Sequence, residues 1–301
     1  DNFGYLKSGK MDSLLDFGFN DMANKFVQGG LESVESQLEI RNGTINNTGS
    51  FGGFLNSHDE VGFKYTLMNL TGDDGKKKYT EEQADALSKV AASLVATAKG
   101  QPVIYYGEEI GLTGANNYPY QDNRYDMKFD NLSEAQQSML SHYQTMLAIR
   151  NKYSKVFAKG TRKQIAGSDK EQYLAFERSY NDEKIVVALN ISDEDKTVTL
   201  QVKDFVGKNV VDAYQNKEYK VGRDGTVTIT IPSNKKGGTV VLVGEKIQTN
   251  IQVSAEVIKT AKSVGKSLSL YGADASGNAI ANWTFSNSNM KKVSAENLKT
   301  V

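Results

Sequence analysis

Cysteine is missing from the 301 residues. That excludes disulfides and thiolate metal sites, and it does not fix a compartment, because many secreted bacterial chains also lack it. Histidine occurs twice, at His58 and His142, and tryptophan once, at Trp283. Neither sign of charge is in excess: 36 lysines and arginines balance 36 aspartates and glutamates. A nucleic-acid partner would call for a basic stripe, so none is expected, and nothing points to a membrane-surface patch. No apolar run approaches the roughly 18 residues of a membrane-spanning helix. The glycines of "QGG", "FGG" and "KKGG" lack the spacing of a phosphate-cradling loop. No charged-then-apolar leader follows Asp1, so any signal peptide is expected to have been removed or to lie upstream.

What is present divides into three composition regimes. Residues 1–157 alternate short apolar runs with amphipathic patterns. "MDSLLDFGF" (11–19), "FGGFLN" (51–56) and "PVIYY" (102–106) read as strands apolar on both sides. A helix is expected within 22–41, its Gly29-Gly30 pair being its weak point. A second, from Thr80 to Gly100, places Ala84, Leu87, Val90, Ala91, Leu94, Val95 and Ala98 on one face at the helical period. Thr80 with Gln83 forms a capping box, and Gly100 ends the helix. Ser133 with Gln136 repeats the device, with Leu140, Tyr143, Leu147 and Ile149 expected inward and His142 expected to be partly exposed. Strand and helix in alternation imply a parallel sheet buried on both faces. Three such units are part of a (β/α)8 barrel, which takes about 250 residues, so unpaired edges and an apolar interior face are expected.

Residues 158–246 change character. "QYLAFERSY", "KIVVALNI", "KTVTLQV", "TVTITI" and "GTVVLVG" are short strands separated by turn residues, as in an antiparallel β-sandwich. Residues 247–301 open a further all-β stretch, too short for a core of its own.

The chemistry centres on "FLNSHDE" (54–60). Catalytic side chains of a parallel barrel come from the carboxyl ends of its strands, and His58 and Asp59 have that placement. From spacing alone the pair fits either a site or the cap of the next helix. "GQPVIYYGEEIG" (100–111) puts Glu108 and Glu109 on the loop after the next strand. They fit a general acid or base, given a second carboxylate about 5–9.5 Å away, or exposed acids near a helix start. On the loop "NNYPYQDNRYDMKFD" (116–130), Tyr118 and Tyr120 can stack on a planar apolar face or pin the loop. Asp73 and Asp74 lack the alternating oxygens of a calcium loop, so no metal ligand is assigned.

Together these segments resemble the α-amylase family of glycoside hydrolases (glycoside hydrolase family 13). "MDSLLDF", "FLNSHDE" and "GQPVIYYGEEIG" are similar to its sixth-, seventh- and eighth-strand segments, in order, and a sandwich follows. The resemblance covers about residues 1–245. It implies the last part of a (β/α)8 barrel (1–157), the sandwich called domain C (158–246) and retaining cleavage of α-glucans such as starch and maltooligosaccharides. It makes Asp59 the transition-state stabiliser, hydrogen-bonding the 2- and 3-hydroxyls of the sugar, with His58 assisting and Arg124, Tyr118 and Tyr120 as substrate contacts. The family's nucleophile motif, an Arg-x-Asp triplet commonly followed by histidine, has no counterpart here, since "RYD" (124–126) falls after the eighth strand. Nucleophile, acid/base and the first barrel half are therefore expected upstream of Asp1, and this part alone is expected to be inactive. No cofactor is implied for these residues; family members often bind calcium between the barrel and domain B, so the resemblance allows calcium only in the full-length enzyme. "IANWTFSNSNMKKVS" (280–294) resembles a bacterial immunoglobulin-like domain, with Trp283 in its core, which implies an extracellular or cell-surface bacterial enzyme. Alternatives are an α-1,6-glucosidase or cyclomaltodextrinase relative, or a non-catalytic barrel homologue used for adhesion.

Overall fold

A computed structural model describes residues 4–8, 10–45, 50–206 and 208–244; the segment around Trp283 lies outside the described residues. A single helical turn, α1 (Gly4–Lys7), precedes three parallel strands in the order β1 (Ser13–Asp16), β2 (Ser50–Phe54) and β3 (Gln101–Val103). Each strand is shorter than its apolar run. The chain is already helical at Gly18, and residues 104–106 lie outside the strand. β1 and β3 are the outer strands. Leu15 and Val103, which meet over Gly52 in β2, are exposed on the open side, as is Phe17 nearby.

Helices α2 (Gly18–Val27) and α3 (Leu31–Thr44) follow β1. One helix was expected across this stretch. Gly29, at φ 106°, breaks it, because side chains with a Cβ rarely take that conformation. The amides of Gly29 and Gly30 fold back onto Phe26 and Lys25 carbonyls, closing the first helix before the second starts.

After β2 come α4 (Phe63–Asn69) and α5 (Glu81–Thr97). The Thr80–Gln83 capping box forms as expected. The apolar face of α5 is buried, but so is its back: Ser88, Lys89, Ser93 and Thr97 are all buried. Ser88 and Thr97 satisfy their hydroxyls on the carbonyls four residues earlier, which lets a polar stripe enter the core. After β3, α6 (Glu134–Lys152) begins at the Ser133–Gln136 capping box and is followed by α7 (Ser154–Lys159). Its buried face is Met139, His142, Tyr143, Met146, Ile149 and Arg150. Leu140 and Leu147, expected inward, are only half-buried. His142 is fully buried rather than partly exposed. Its Nδ1 faces the Tyr214 hydroxyl at 2.7 Å and its Nε2 faces Ser93 at 3.1 Å.

The strands β4 (Thr161–Ser168), β5 (Tyr173–Tyr180), β6 (Glu183–Asn190), β7 (Lys196–Gln201), β8 (Asn209–Asp212), β9 (Lys217–Lys220), β10 (Thr226–Ile231) and β11 (Thr239–Gly244) build the sandwich. Six form one antiparallel sheet, β4-β5-β6-β11-β8-β9, and β7 pairs with β10 in a second. The side-chain period of two divides each central strand between two interiors. Ala175, Val186, Ala188, Val240 and Leu242 face Leu200, Val227 and Ile229 within the sandwich. Leu174, Phe176, Val187, Leu189 and Val241 join the interior made with the barrel helices. Burying one such Leu, Val or Phe contributes about 1.5–3 kcal/mol, so both faces of the large sheet matter to stability. Residues Asp1–Gly244 accordingly form one compact unit.

Buried arginines tie its parts. Arg162 on β4 makes two 2.7 Å hydrogen bonds to Glu35 on α3 and stacks on Phe176. Arg178 on β5 donates to the carbonyls of Thr97, Phe157, Gly160 and Thr161.

Candidate active site

The candidate site is built where β2 stops. Leu55 and Asn56 stay buried beyond the strand, and the chain then turns so that His58 and Asp59 are exposed, with Ser57 and Glu60 half-buried on either side, before α4 begins. Asn56 anchors the turn from below. Its Oδ1 accepts from the Phe63 amide at 2.7 Å, capping the start of α4, and its Nδ2 donates to Glu108 at 2.6 Å.

Glu108 sits on the 3-10 turn Glu108–Ile110 just past β3. Both roles offered by its position in sequence are corrected here. It is neither an exposed acid nor open to a substrate, because it is sealed under the turn with Asn56 on one oxygen and the Tyr143 hydroxyl, at 3.1 Å, on the other. Burial pushes its carboxyl up to about 8, outweighing the hydrogen bonds that favour the charged form. Burial also holds Glu60 above the usual carboxylate range, helped by nearby Asp21 and Asp59.

On the outer side of the turn, His58 Nε2 lies 3.3 Å and Arg124 Nη2 3.7 Å from the same oxygen, Asp59 Oδ1. The residue before it in sequence and one 65 positions later thus converge on the Asp59 carboxylate. His58 and Asp59 are more than half exposed. A carboxylate held in this way at the mouth of a parallel sheet can accept hydrogen bonds from a pair of hydroxyls, while histidine and arginine donate to the same ligand.

The loop after β3 supplies Arg124 and braces the turn. Gly62 packs where a Cβ would lie 2.2 Å from the Thr113 hydroxyl oxygen, so only glycine permits that approach. Its amide donates to Gly114 at 3.0 Å, and the Tyr65 amide donates to Thr113 at 3.0 Å. Tyr105, Tyr106 and Tyr125 form a ring cluster under the loop. Burial and the adjoining Tyr106 push the Tyr105 hydroxyl up to about 12, so it stays protonated and donates to the Asn123 carbonyl at 3.1 Å. Tyr118 and Tyr120 do not pin this loop: they stand 90% and 80% exposed at its tip. Among the described residues no three His, Asp or Glu side chains gather as metal ligands; Asp73 and Asp74 are exposed. Asn56, Asn116 and Asn123 were not anticipated. Single amides in loops carry no spacing signal, and only the "SHDE" and "DNRYD" segments marked the neighbourhood.

The family model for the C-terminal domain of maltogenic amylase matches residues 164–234, within the sandwich. Neopullulanase 2 of Thermoactinomyces vulgaris is 26% identical over 236 residues, covering 77% of this chain and 37% of that protein. Cyclomaltodextrinase of Geobacillus thermopakistaniensis is 22% identical over 238 residues, with the same 77% and 37% coverage. The α-amylase of Geobacillus thermoleovorans, solved with acarbose, superposes with a TM-score of 0.63 at 20% identity, over 82% of this chain and 51% of that one. The chain thus spans between about a third and a half of the length of these relatives.

Proposed function

We propose that the chain belongs to the α-amylase family of glycoside hydrolases and forms one wall of the cleft in a retaining hydrolase of α-glucans such as starch and maltooligosaccharides, a reading supported by the family-model match over residues 164–234 and by its relatives. The observation that carries this reading is the convergence of His58 and Arg124 on Asp59 at the carboxyl end of β2. Asp59 is the transition-state stabiliser: it accepts from the 2- and 3-hydroxyls of the sugar at the cleavage point, bonds that strengthen as the ring distorts. His58 and Arg124 contact the same sugar, and Tyr118 and Tyr120 stack on neighbouring ones. Nucleophile and acid/base are supplied by sequence other than these 301 residues. The substrate class is supported by the relatives' names and by the acarbose in the solved α-amylase. Neopullulanase and cyclomaltodextrinase also favour a second reading on bond specificity, in which α-1,6 linkages or cyclic dextrins are cleaved. Extracellular or cell-surface placement rests on the immunoglobulin-like pattern around Trp283.

The test is Asp59→Asn in the enzyme encoded by the whole gene. Turnover of maltoheptaose should fall about 100–1,000-fold, with acarbose affinity kept within about tenfold. Unchanged turnover would overturn the reading and leave a non-catalytic barrel homologue.

A further inference from the structure

All four backbone carbonyls of the turn 57–60 lie within hydrogen-bonding distance of an asparagine side-chain amide on the neighbouring loop, the two hydrogens of Asn123 Nδ2 being shared among three of them. Asn123 Nδ2 lies 3.3 Å from the Ser57 carbonyl, 3.1 Å from that of His58 and 2.8 Å from that of Glu60. Asn116 Nδ2 takes the remaining one, Asp59, at 2.7 Å. Three of these carbonyls converge on a single nitrogen, so the turn has little freedom to pivot while Asn123 holds its place. Asn123 is buried, and its amide has one workable orientation, because Oδ1 in place of Nδ2 would face three carbonyl oxygens. That orientation leaves Oδ1 buried without a hydrogen bond among the described residues. Asn123 is itself fixed, its backbone N–H donating to the Ala115 carbonyl at 2.9 Å and its backbone carbonyl accepting from the Tyr105 hydroxyl at 3.1 Å. The next residue is Arg124, which reaches the Asp59 side chain. One short segment therefore sets both the backbone of the turn and the cation beside its carboxylate.

We infer that Asn123 and Asn116 are positioning residues that aim Asp59 at the substrate through the backbone of the turn, touching no substrate themselves. The inference rests on the reading of Asp59 given above. It predicts that neither residue matters once Asp59 no longer works, which is what separates aiming from general support of the fold.

A double-mutant cycle in the enzyme encoded by the whole gene tests this. Asn123→Ala and Asn116→Ala are each made in the parent and in Asp59→Asn, with maltoheptaose turnover, acarbose affinity and thermal midpoint measured for all. A catalytic group displaced by about an ångström costs up to about a hundredfold. Asn123→Ala should therefore lower kcat about 10–100-fold in the parent, with KM changed less than threefold, and should lower it less than threefold in the Asp59→Asn background. Asn116 is exposed, so its variant keeps the test available should Asn123→Ala fail to fold. It should lose about threefold or more in the parent, again only while Asp59 is present. Equal losses in both backgrounds, or full turnover in Asn116→Ala, would overturn the inference. If Asp59→Asn is as active as the parent, the reading of the site fails first. If Asp59→Asn is crippled while both asparagine variants remain fully active, only the positioning roles fail.

Discussion

Burial keeps the Glu108 proton in place up to about pH 8 in the folded chain, against a usual value of 4.5. Between those values the folded state holds one proton more than the unfolded chain. The stability this contributes is complete below about pH 4.5 and is lost as pH rises toward 8. Glu108→Gln removes that slope. Urea unfolding at pH 5 and pH 8 should show the parent losing up to about 4 kcal/mol more than the variant across the interval. Equal losses would mean that the carboxyl ionises freely beneath the turn. The same site shows how unevenly single residues declare themselves. His58 and Asp59 were legible because a polar pair interrupts an apolar strand end. Glu108 was misread because two acids after a glycine look like a solvated helix start, and what buries it, Tyr143, comes from a helix 35 residues away.

At the level of elements, local chemistry was a good guide to where helices begin and a poor one to which way they face. The capping boxes at Thr80 and Ser133 were legible because each satisfies backbone donors within four residues. Thr80→Ala should cost about 1 kcal/mol, and because α5 lies in the interior, the loss should appear in the thermal midpoint of the whole unit. A shift confined to hydrogen exchange in the first turn would show that α5 frays independently. On α6 the expected inward residues Tyr143 and Ile149 are buried, whereas Leu140 and Leu147 are only half-buried. Leu140 and Leu147 suit a core, yet the neighbouring elements select His142 and Met146, and His142 finds Ser93 and Tyr214 there. The break between α2 and α3 turns on the positive φ of Gly29, a conformation that composition permits and does not announce.

For the molecule as a whole, the decisive feature is the interior that runs from the barrel helices to the outer face of the large sheet. Glu35 and Arg162 cross it as an ion pair with both side chains fully buried. Glu35→Ala strands the guanidinium, which should cost about 3–5 kcal/mol, whereas the double change Glu35→Leu with Arg162→Met should cost less than half as much, since a matched apolar pair removes both charges. Unfolding midpoints in urea read both; equal losses would mean that packing against Phe176, not pairing of charge, dominates. None of this was visible in the sequence. The residues of β5, β6 and β11 that face the helices alternate with those inside the sandwich, and both sets are simply apolar.

That continuity constrains how such a protein can be recombined. A crossover in the hinge of sequence around residue 160 cuts between composition regimes, but it also divides one interior into two halves that fit only each other. Chimaeras that borrow this sandwich from a relative should therefore succeed when α3, α5 and α7 travel with it, and should precipitate when it is grafted alone onto foreign helices.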